Sequence, residues 1–260
     1  MSSIGVFDSG VGGLTVVAAL RRRLPAESIL YLGDTARLPY GTKSADTVLR
    51  YTRRNLDFLV ARGVKAAVVA CNTASALALP RIEEPVPLWG VIEPGAREAA
   101  RVSAGKVGVL ATESTVASGA YERALLAERP ELEVSSQPCP LFVPLVEEGW
   151  ESDPVTREIA RRYLEPLLAA GVDTLILGCT HYPLLAPVLA EIAGDGVRLV
   201  SSAEAAAAEM ANALAEKGLT ESGPTAGETR LCMTDDAARF ERIARRIIGE
   251  LDEPPEHVEV

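Results

Sequence analysis

The chain has 260 residues and a mass of 27.5 kDa, with 48% apolar and 24% charged residues. At about 150 residues per domain this predicts one or two globular domains with cores of their own, and excludes a disordered, collagen-like or disulfide-framework protein. The 36 acidic residues outnumber the 26 basic ones, for a net charge of −10 without the basic footprint of a nucleic-acid binder, and no apolar run approaches the roughly 18 residues that span a bilayer. Ile4 to Phe7 reads as a strand, followed by the glycine-rich turn Asp8-Ser9-Gly10-Val11-Gly12-Gly13 and a helix from Leu14 to Arg23 stopped by Pro25. Arg21, Arg22 and Arg23 read as the solvated end of that helix. Ser28 to Leu32 is a second strand, and Gly33 to Lys43 a loop. Ser44 can cap a long helix to Arg62, with Gly63 as its stop. Ala66 to Ala70 is a buried strand ended by Cys71, and a helix starts near Thr73. Leu88 to Ile92 reads as a further strand, punctuated by Pro94-Gly95.

Then the pattern restarts. Val107-Gly108-Val109-Leu110 echoes Ile4-Gly5-Val6-Phe7, and Thr174 to Leu177 is a strand ending at Gly178-Cys179-Thr180, as the earlier one ends at Cys71-Asn72-Thr73. Asp8 to Cys71 is 63 residues; Ala111, the matching position, to Cys179 is 68. The spacing and the cysteine agree together, which favours a true pseudo-repeat over a chance echo. The segment from Ala203 carries two helical patterns around a possible strand, Arg230 to Met233. Asp235 or Asp236 can cap the final helix, and Glu253-Pro254-Pro255-Glu256 reads as a frayed tail. The expected fold is α/β, with two similar parallel-sheet domains related by pseudo-symmetry around a central cleft. Residues 1–95 with a returning 207–260 make the first domain, and 96–206 the second.

The opening Met-Ser-Ser-Ile-Gly-Val-Phe-Asp has no secretory pattern, so the expectation is a cytoplasmic protein with reduced thiols. Cys71, Cys139, Cys179 and Cys232 form no C-x-x-C pair, and no ligand set has zinc spacing. Each reads singly as a buried free cysteine. Cys71 and Cys179, however, stand just after strands and just before helices, where open α/β sheets bind ligands. A helix N-terminus lowers a thiol pKa from about 8.5 toward neutrality and offers backbone N–H groups to a carboxylate. Two such cysteines put a thiol on each wall of the cleft. Inversion at a stereocentre by proton transfer needs a base on one face and an acid on the other. A thiolate and a thiol supply both and exchange roles after each turnover.

The glycine-rich turn is neither G-x-G-x-x-G nor a Walker loop, and reads as a tight turn that lets a small ligand approach the backbone. Asp8 can orient a partner near Cys71 or cap the following helix. His181, two residues after Cys179, can relay or tune its proton or serve as a structural hydrogen-bonding group. A Cys179–His181 nucleophile–base pair is the hydrolase alternative, but residues two apart at a strand end should diverge, and it leaves Cys71 unused. His257, in the acidic tail, is assigned no role. None of Lys43, Lys65, Lys106 and Lys217 has a Schiff-base context, so pyridoxal phosphate is not indicated.

Taken together, several segments resemble the glutamate racemases, of the cofactor-independent aspartate/glutamate racemase superfamily. They are Gly5 through Leu14, Gly33-Asp34-Thr35, Pro39-Tyr40-Gly41, Cys71-Asn72-Thr73-Ala74-Ser75, Val91-Ile92-Glu93-Pro94-Gly95, Pro144-Leu145-Val146-Glu147 and Gly178-Cys179-Thr180-His181-Tyr182-Pro183, in the family's order from residue 5 to about 205. The resemblance implies that Cys71 and Cys179 are the acid/base pair, assisted by Asp8, Glu147 and His181. It implies substrate contacts from Asp8, Ser9, Tyr40, Gly41, Asn72, Thr73, Thr180 and His181. It further implies a glutamate substrate, no cofactor or metal, a homodimer, and D-glutamate for peptidoglycan synthesis. An aspartate or related amino-acid racemase is the nearest rival, and a non-catalytic ligand-sensing protein on the same scaffold a more distant one. One departure stands out. The family often has Asp-Ser-Ala where this chain has Ser201-Ser202-Ala203, which puts any hinge or loop role of that Asp in doubt.

Overall fold

The computed structural model describes residues 3–83, 85–221, 223 and 225–260. Its strands are β1 (Ile4–Asp8), β2 (Ile29–Gly33), β3 (Ala66–Val69), β4 (Leu88–Trp89), β5 (Lys106–Ala111), β6 (Glu133–Pro138), β7 (Thr174–Gly178), β8 (Arg198–Ser201), β9 (Thr229–Met233) and β10 (Glu256–His257). The helices are α1 (Leu14–Arg23), α2 (Ala45–Ala61), α3 (Asn72–Leu77), α4 (Ile92–Val102), α5 (Glu113–Ser118), α6 (Ala120–Glu128), α7 (Phe142–Glu147), α8 (Pro154–Ala169), α9 (Ala186–Ala193), α10 (Ser202–Glu216) and α11 (Ala237–Ile248).

The strands form two sheets, β10-β9-β2-β1-β3-β4 and β6-β5-β7-β8, and the pairings are parallel throughout. The order β2-β1-β3-β4 in one sheet repeats as β6-β5-β7-β8 in the other, so the echo in the sequence is a repeated topology. β1, β2, β3 and β7 are buried along their whole length, as parallel strands covered by helices on both faces must be. Successive side chains feed opposite layers. Ile4 and Val6 join the core under α1, α10 and α11, and Phe7 joins the one under α2. Val107 and Val109 likewise face α4 and α6, whereas Leu110 faces α8 and α9. Helix α10 packs on both α1 and α4 and so bridges the two halves.

The caps follow the sequence. Ser44 accepts from the Thr47 N–H at the start of α2, and Asp236 from the Arg239 N–H at the start of α11. Ser201 caps α10 through the Glu204 N–H at 3.4 Å, so the serine itself holds the start of that helix.

Two expectations are corrected. The strand from Leu88 stops at Trp89, and Ile92 opens α4 with Pro94-Gly95 inside its first turn. A first-turn N–H has no intrahelical partner, so proline costs no hydrogen bond there. The tail is not frayed: Glu256 and His257 pair with Cys232 and Met233 as β10, and the Val258 N–H donates to Met233 O at 2.9 Å. Val258 is buried in the α2-side core, so an apolar anchor secures what the acidic residues and prolines left looking loose.

Candidate active site

A cavity of about 310 Å³ opens at the carboxyl ends of β1, β3, β5 and β7. Each strand delivers its next residues to the wall: Ser9-Gly10, Cys71-Asn72-Thr73, Thr112-Glu113 and Cys179-Thr180-His181. Cys71 and Cys179 hold equivalent places in the two sheets. In the register Ala111 pairs with Gly178, Phe7 pairs with Val69, and the Ala70 N–H donates to Phe7 O. Both thiols are buried yet line the same cavity.

Cys71 donates to Ser9 Oγ at 3.4 Å. The expectation that its place at a helix start lowers its pKa is not met. Burial and the adjacent Asp8 carboxylate push the thiol up to about 12, against smaller opposing contacts from Ser9 and the Ala74 N–H. Desolvation and a like charge outweigh the opening turn of a six-residue helix.

Cys179 has different surroundings. His181 Nδ1 lies 3.9 Å from its sulfur, and His181 Nε2 lies 3.1 Å from Glu147 Oε1. The expected divergence of Cys179 and His181 is thus corrected: the chain turns into a 3₁₀ helix at Tyr182 and brings the imidazole back to the thiol. Burial alone would depress His181, but the hydrogen bonds and charges of Cys179 and Glu147 carry it up to about 10. Burial also opposes ionisation of Glu147, yet His181 and Arg239 hold it below the usual carboxylate range.

Asp8 is fully buried behind the wall and does not line the cavity. Its Oδ2 accepts from the Gly10 N–H at 2.9 Å, and Thr180 Oγ1 approaches Oδ1 at 3.5 Å from across the cleft. Burial raises its pKa, opposed by the charge of His181 and by backbone N–H groups. The glycine-rich turn does not serve ligand approach along its length. A Cβ on Gly12 would meet Thr180 Oγ1 and the His181 ring, and one on Gly13 would meet Asp8 itself. Ser9 and Gly10 alone of the turn reach the cavity.

Tyr40 and Gly41 line the cavity from the 3₁₀ turn Tyr40–Thr42. The Tyr40 hydroxyl points away, to the fully buried Asp34, and also meets Asn55 Nδ2 at 3.1 Å. Tyr40→Phe is therefore expected to lower stability by about 1–3 kcal/mol, through the partners left unpaired. The catalytic rate should change only a few-fold. Urea unfolding beside steady-state kinetics checks both, and a large loss of rate without loss of stability would place the hydroxyl in the chemistry.

Asn72 accepts from Tyr121 O–H at 2.7 Å, and its buried Nδ2 has no protein partner. Thr73 joins Thr112 and Thr115 in a hydroxyl cluster across the cleft, at 3.0 and 3.3 Å. Ser114 ties in Gly41 O at 2.6 Å. Thr112 was missed from the sequence, although the repeat carried the signal: if Ala111 matches Asp8, Thr112 matches Ser9. Arg239 also lines the cavity and bonds Glu147 Oε2 at 2.9 Å, with no local pattern to mark it.

Residues 4–210 match the profile of the Asp/Glu/hydantoin racemases. The chain belongs to that family. It is 50% identical over 250 residues to the glutamate racemase of Geobacter metallireducens, covering 95% of this chain and 93% of that protein. The crystal structure of glutamate racemase isoform RacE1 from Bacillus anthracis superposes with a TM-score of 0.96 at 40% identity, covering 100% and 98% of the two chains. That of the Francisella tularensis glutamate racemase in complex with D-glutamate superposes with a TM-score of 0.92 at 36% identity, covering 99% and 97%. For this racemase-family chain, the cavity between the two sheets is the candidate site of proton transfer.

Proposed function

We propose that the protein interconverts L- and D-glutamate without a cofactor, Cys71 and Cys179 exchanging protons with opposite faces of the α-carbon. The observation that carries this reading is the pair of buried thiols at equivalent strand ends on one cavity. Family membership and the relatives' names support the substrate. We assign the two walls to residues 1–95 with 207–260 and to 96–206.

The α-proton of an amino acid is weakly acidic, so the site must bind the charged groups and exclude water, which strengthens each interaction. Backbone N–H groups at Tyr40-Gly41, Asn72-Thr73 and Thr180-His181, with Asn72 Nδ2, suit the two carboxylates. Ser9 and Thr73 contribute hydroxyls. Asp8 acts from behind the wall on Cys71 and Thr180, and offsets the substrate's ammonium. Cys71, its pKa raised, holds its proton ready to give. Cys179, as a thiolate beside the protonated His181 that Glu147 steadies, takes the α-proton and becomes a neutral thiol, its charge passing to the α-carbon that Cys71 then protonates. The roles reverse for the other enantiomer. The resemblance also supports a cytoplasmic homodimer supplying D-glutamate for peptidoglycan.

Incubation with pure L-glutamate and pure L-aspartate, followed by polarimetry, tests the assignment. Glutamate should lose its rotation, with aspartate at least about tenfold poorer in kcat/KM, or about 1.4 kcal/mol. Equal rates would move the chain to the aspartate racemases.

A further inference from the structure

Helix α11, the last helix, packs on α1, with Phe240 buried against Tyr31 in the first half. Its start is pinned there. Ala36 N–H donates to Thr234 Oγ1 at 2.9 Å, and Asp235 N–H donates to Thr35 Oγ1 at 2.7 Å. Asp236 then takes a left-handed backbone, φ 49°, and caps the Arg239 N–H at 3.0 Å. A non-glycine residue is uncommon in that region and is held there by its surroundings. The result is that Arg239 leaves the first half and reaches the second, where its guanidinium bonds Glu147 Oε2 at 2.9 Å and lies 3.5 Å from Glu148. Glu147 uses its other oxygen for His181, which meets Cys179.

Resting on the racemase reading above, we propose that Arg239 is a positioning residue: it fixes the Glu147 carboxylate across the cleft, so that Glu147 holds the imidazole of His181 against Cys179. Two other roles are open to an arginine here. As a direct anchor for a substrate carboxylate, it would have to leave Glu147, which already occupies it. As a mere strut, it would share its task with Arg246, which joins the same helix to Val146 O at 3.0 Å and to Glu151 but makes no contact with Glu147. Of these two arginines, Arg239 is the one whose hydrogen bonds run through Glu147 and His181 to the Cys179 thiol.

The test uses the full chain and glutamate in both directions, with wild type, Arg239→Gln, Arg239→Lys and Arg246→Gln. Wild type must racemise glutamate; if it does not, the racemase reading fails and not this inference. Arg239→Gln should lower kcat by roughly 10- to 100-fold, the size of effect a misplaced catalytic group produces, with KM nearly unchanged. Arg239→Lys, which keeps the charge, should recover part of the loss. Arg246→Gln should leave kcat within about twofold, with any effect confined to thermal stability. The inference is overturned by an unchanged kcat in Arg239→Gln, by a rise in KM at constant kcat, which marks a substrate anchor, or by the same kcat loss in Arg246→Gln, which marks a strut. Arg239 is partly exposed on a helix surface. Should Arg239→Gln nevertheless fold poorly, Arg239→Lys decides: a kcat and KM equal to wild type, in a variant that lacks the arginine's fork, overturns the assignment.

Discussion

Replacing Cys71 or Cys179 with alanine, one at a time, is expected to lower racemisation by roughly 10²- to 10⁴-fold or more, the contribution of a positioned acid or base. Each variant keeps a thiol on one face of the substrate and loses the proton donor on the other. The surviving thiol can still take a proton from its own face and return one to it. The resemblance implies that Cys71 faces the proton of D-glutamate and Cys179 that of L-glutamate, so in D₂O Cys179→Ala should exchange the α-hydrogen of D-glutamate, and Cys71→Ala that of L-glutamate, without inversion. Proton NMR of the α-signal for each pure enantiomer reads this out. Near-normal racemisation by either variant would sink the two-thiol mechanism. The experiment also decides against the hydrolase alternative, for which the Cys179–His181 contact of 3.9 Å supplies a nucleophile and a base: a hydrolase would be indifferent to Cys71.

The second large effect is expected from a single added methyl group. In Gly12→Ala the new Cβ would sit 2.4 Å from Thr180 Oγ1 and 2.5 Å from His181 Nδ1. Neither neighbour can yield freely. Thr180 O accepts from Thr15 Oγ1 at 3.0 Å, and His181 is held by Glu147. Overpacking of this kind costs about 1–3 kcal/mol, and displacement of the imidazole should lower kcat by roughly 100-fold. Gly196→Ala, where a Cβ meets nothing within 4 Å, serves as the comparison. Thermal unfolding and kinetics on the two variants check the prediction, and a Gly12→Ala enzyme as fast as Gly196→Ala would mean that His181 needs no fixed place.

Much of this site was written locally. A strand that ends in Cys-Asn-Thr or Cys-Thr-His and runs into a helix announces its turn by the change from β-branched residues to small polar ones. The second copy of that pattern, 68 residues after Ala111, set the two cysteines apart from Cys139 and Cys232. The parallel sheets, the cap at Ser44 and a cap at Asp235 or Asp236 were legible for the same reason: periodicity and capping act over a few residues.

The rest depended on which groups face one another across the cleft. Cys71 carries a raised pKa because burial and Asp8 act on it together, and neither is visible in the helix start that follows it. Gly12 is small because His181 stands against it, and the tail forms a strand because Met233 offers it an edge. Arg239 and Glu147 lie 92 residues apart and share no pattern. Sequence determined the pair of strand-end thiols, since each is set by its own strand, turn and helix. Only the tertiary structure decided their electrostatics and their supporting contacts, because desolvation and charge depend on distance in space, and the two halves meet only when the chain has closed around the cavity.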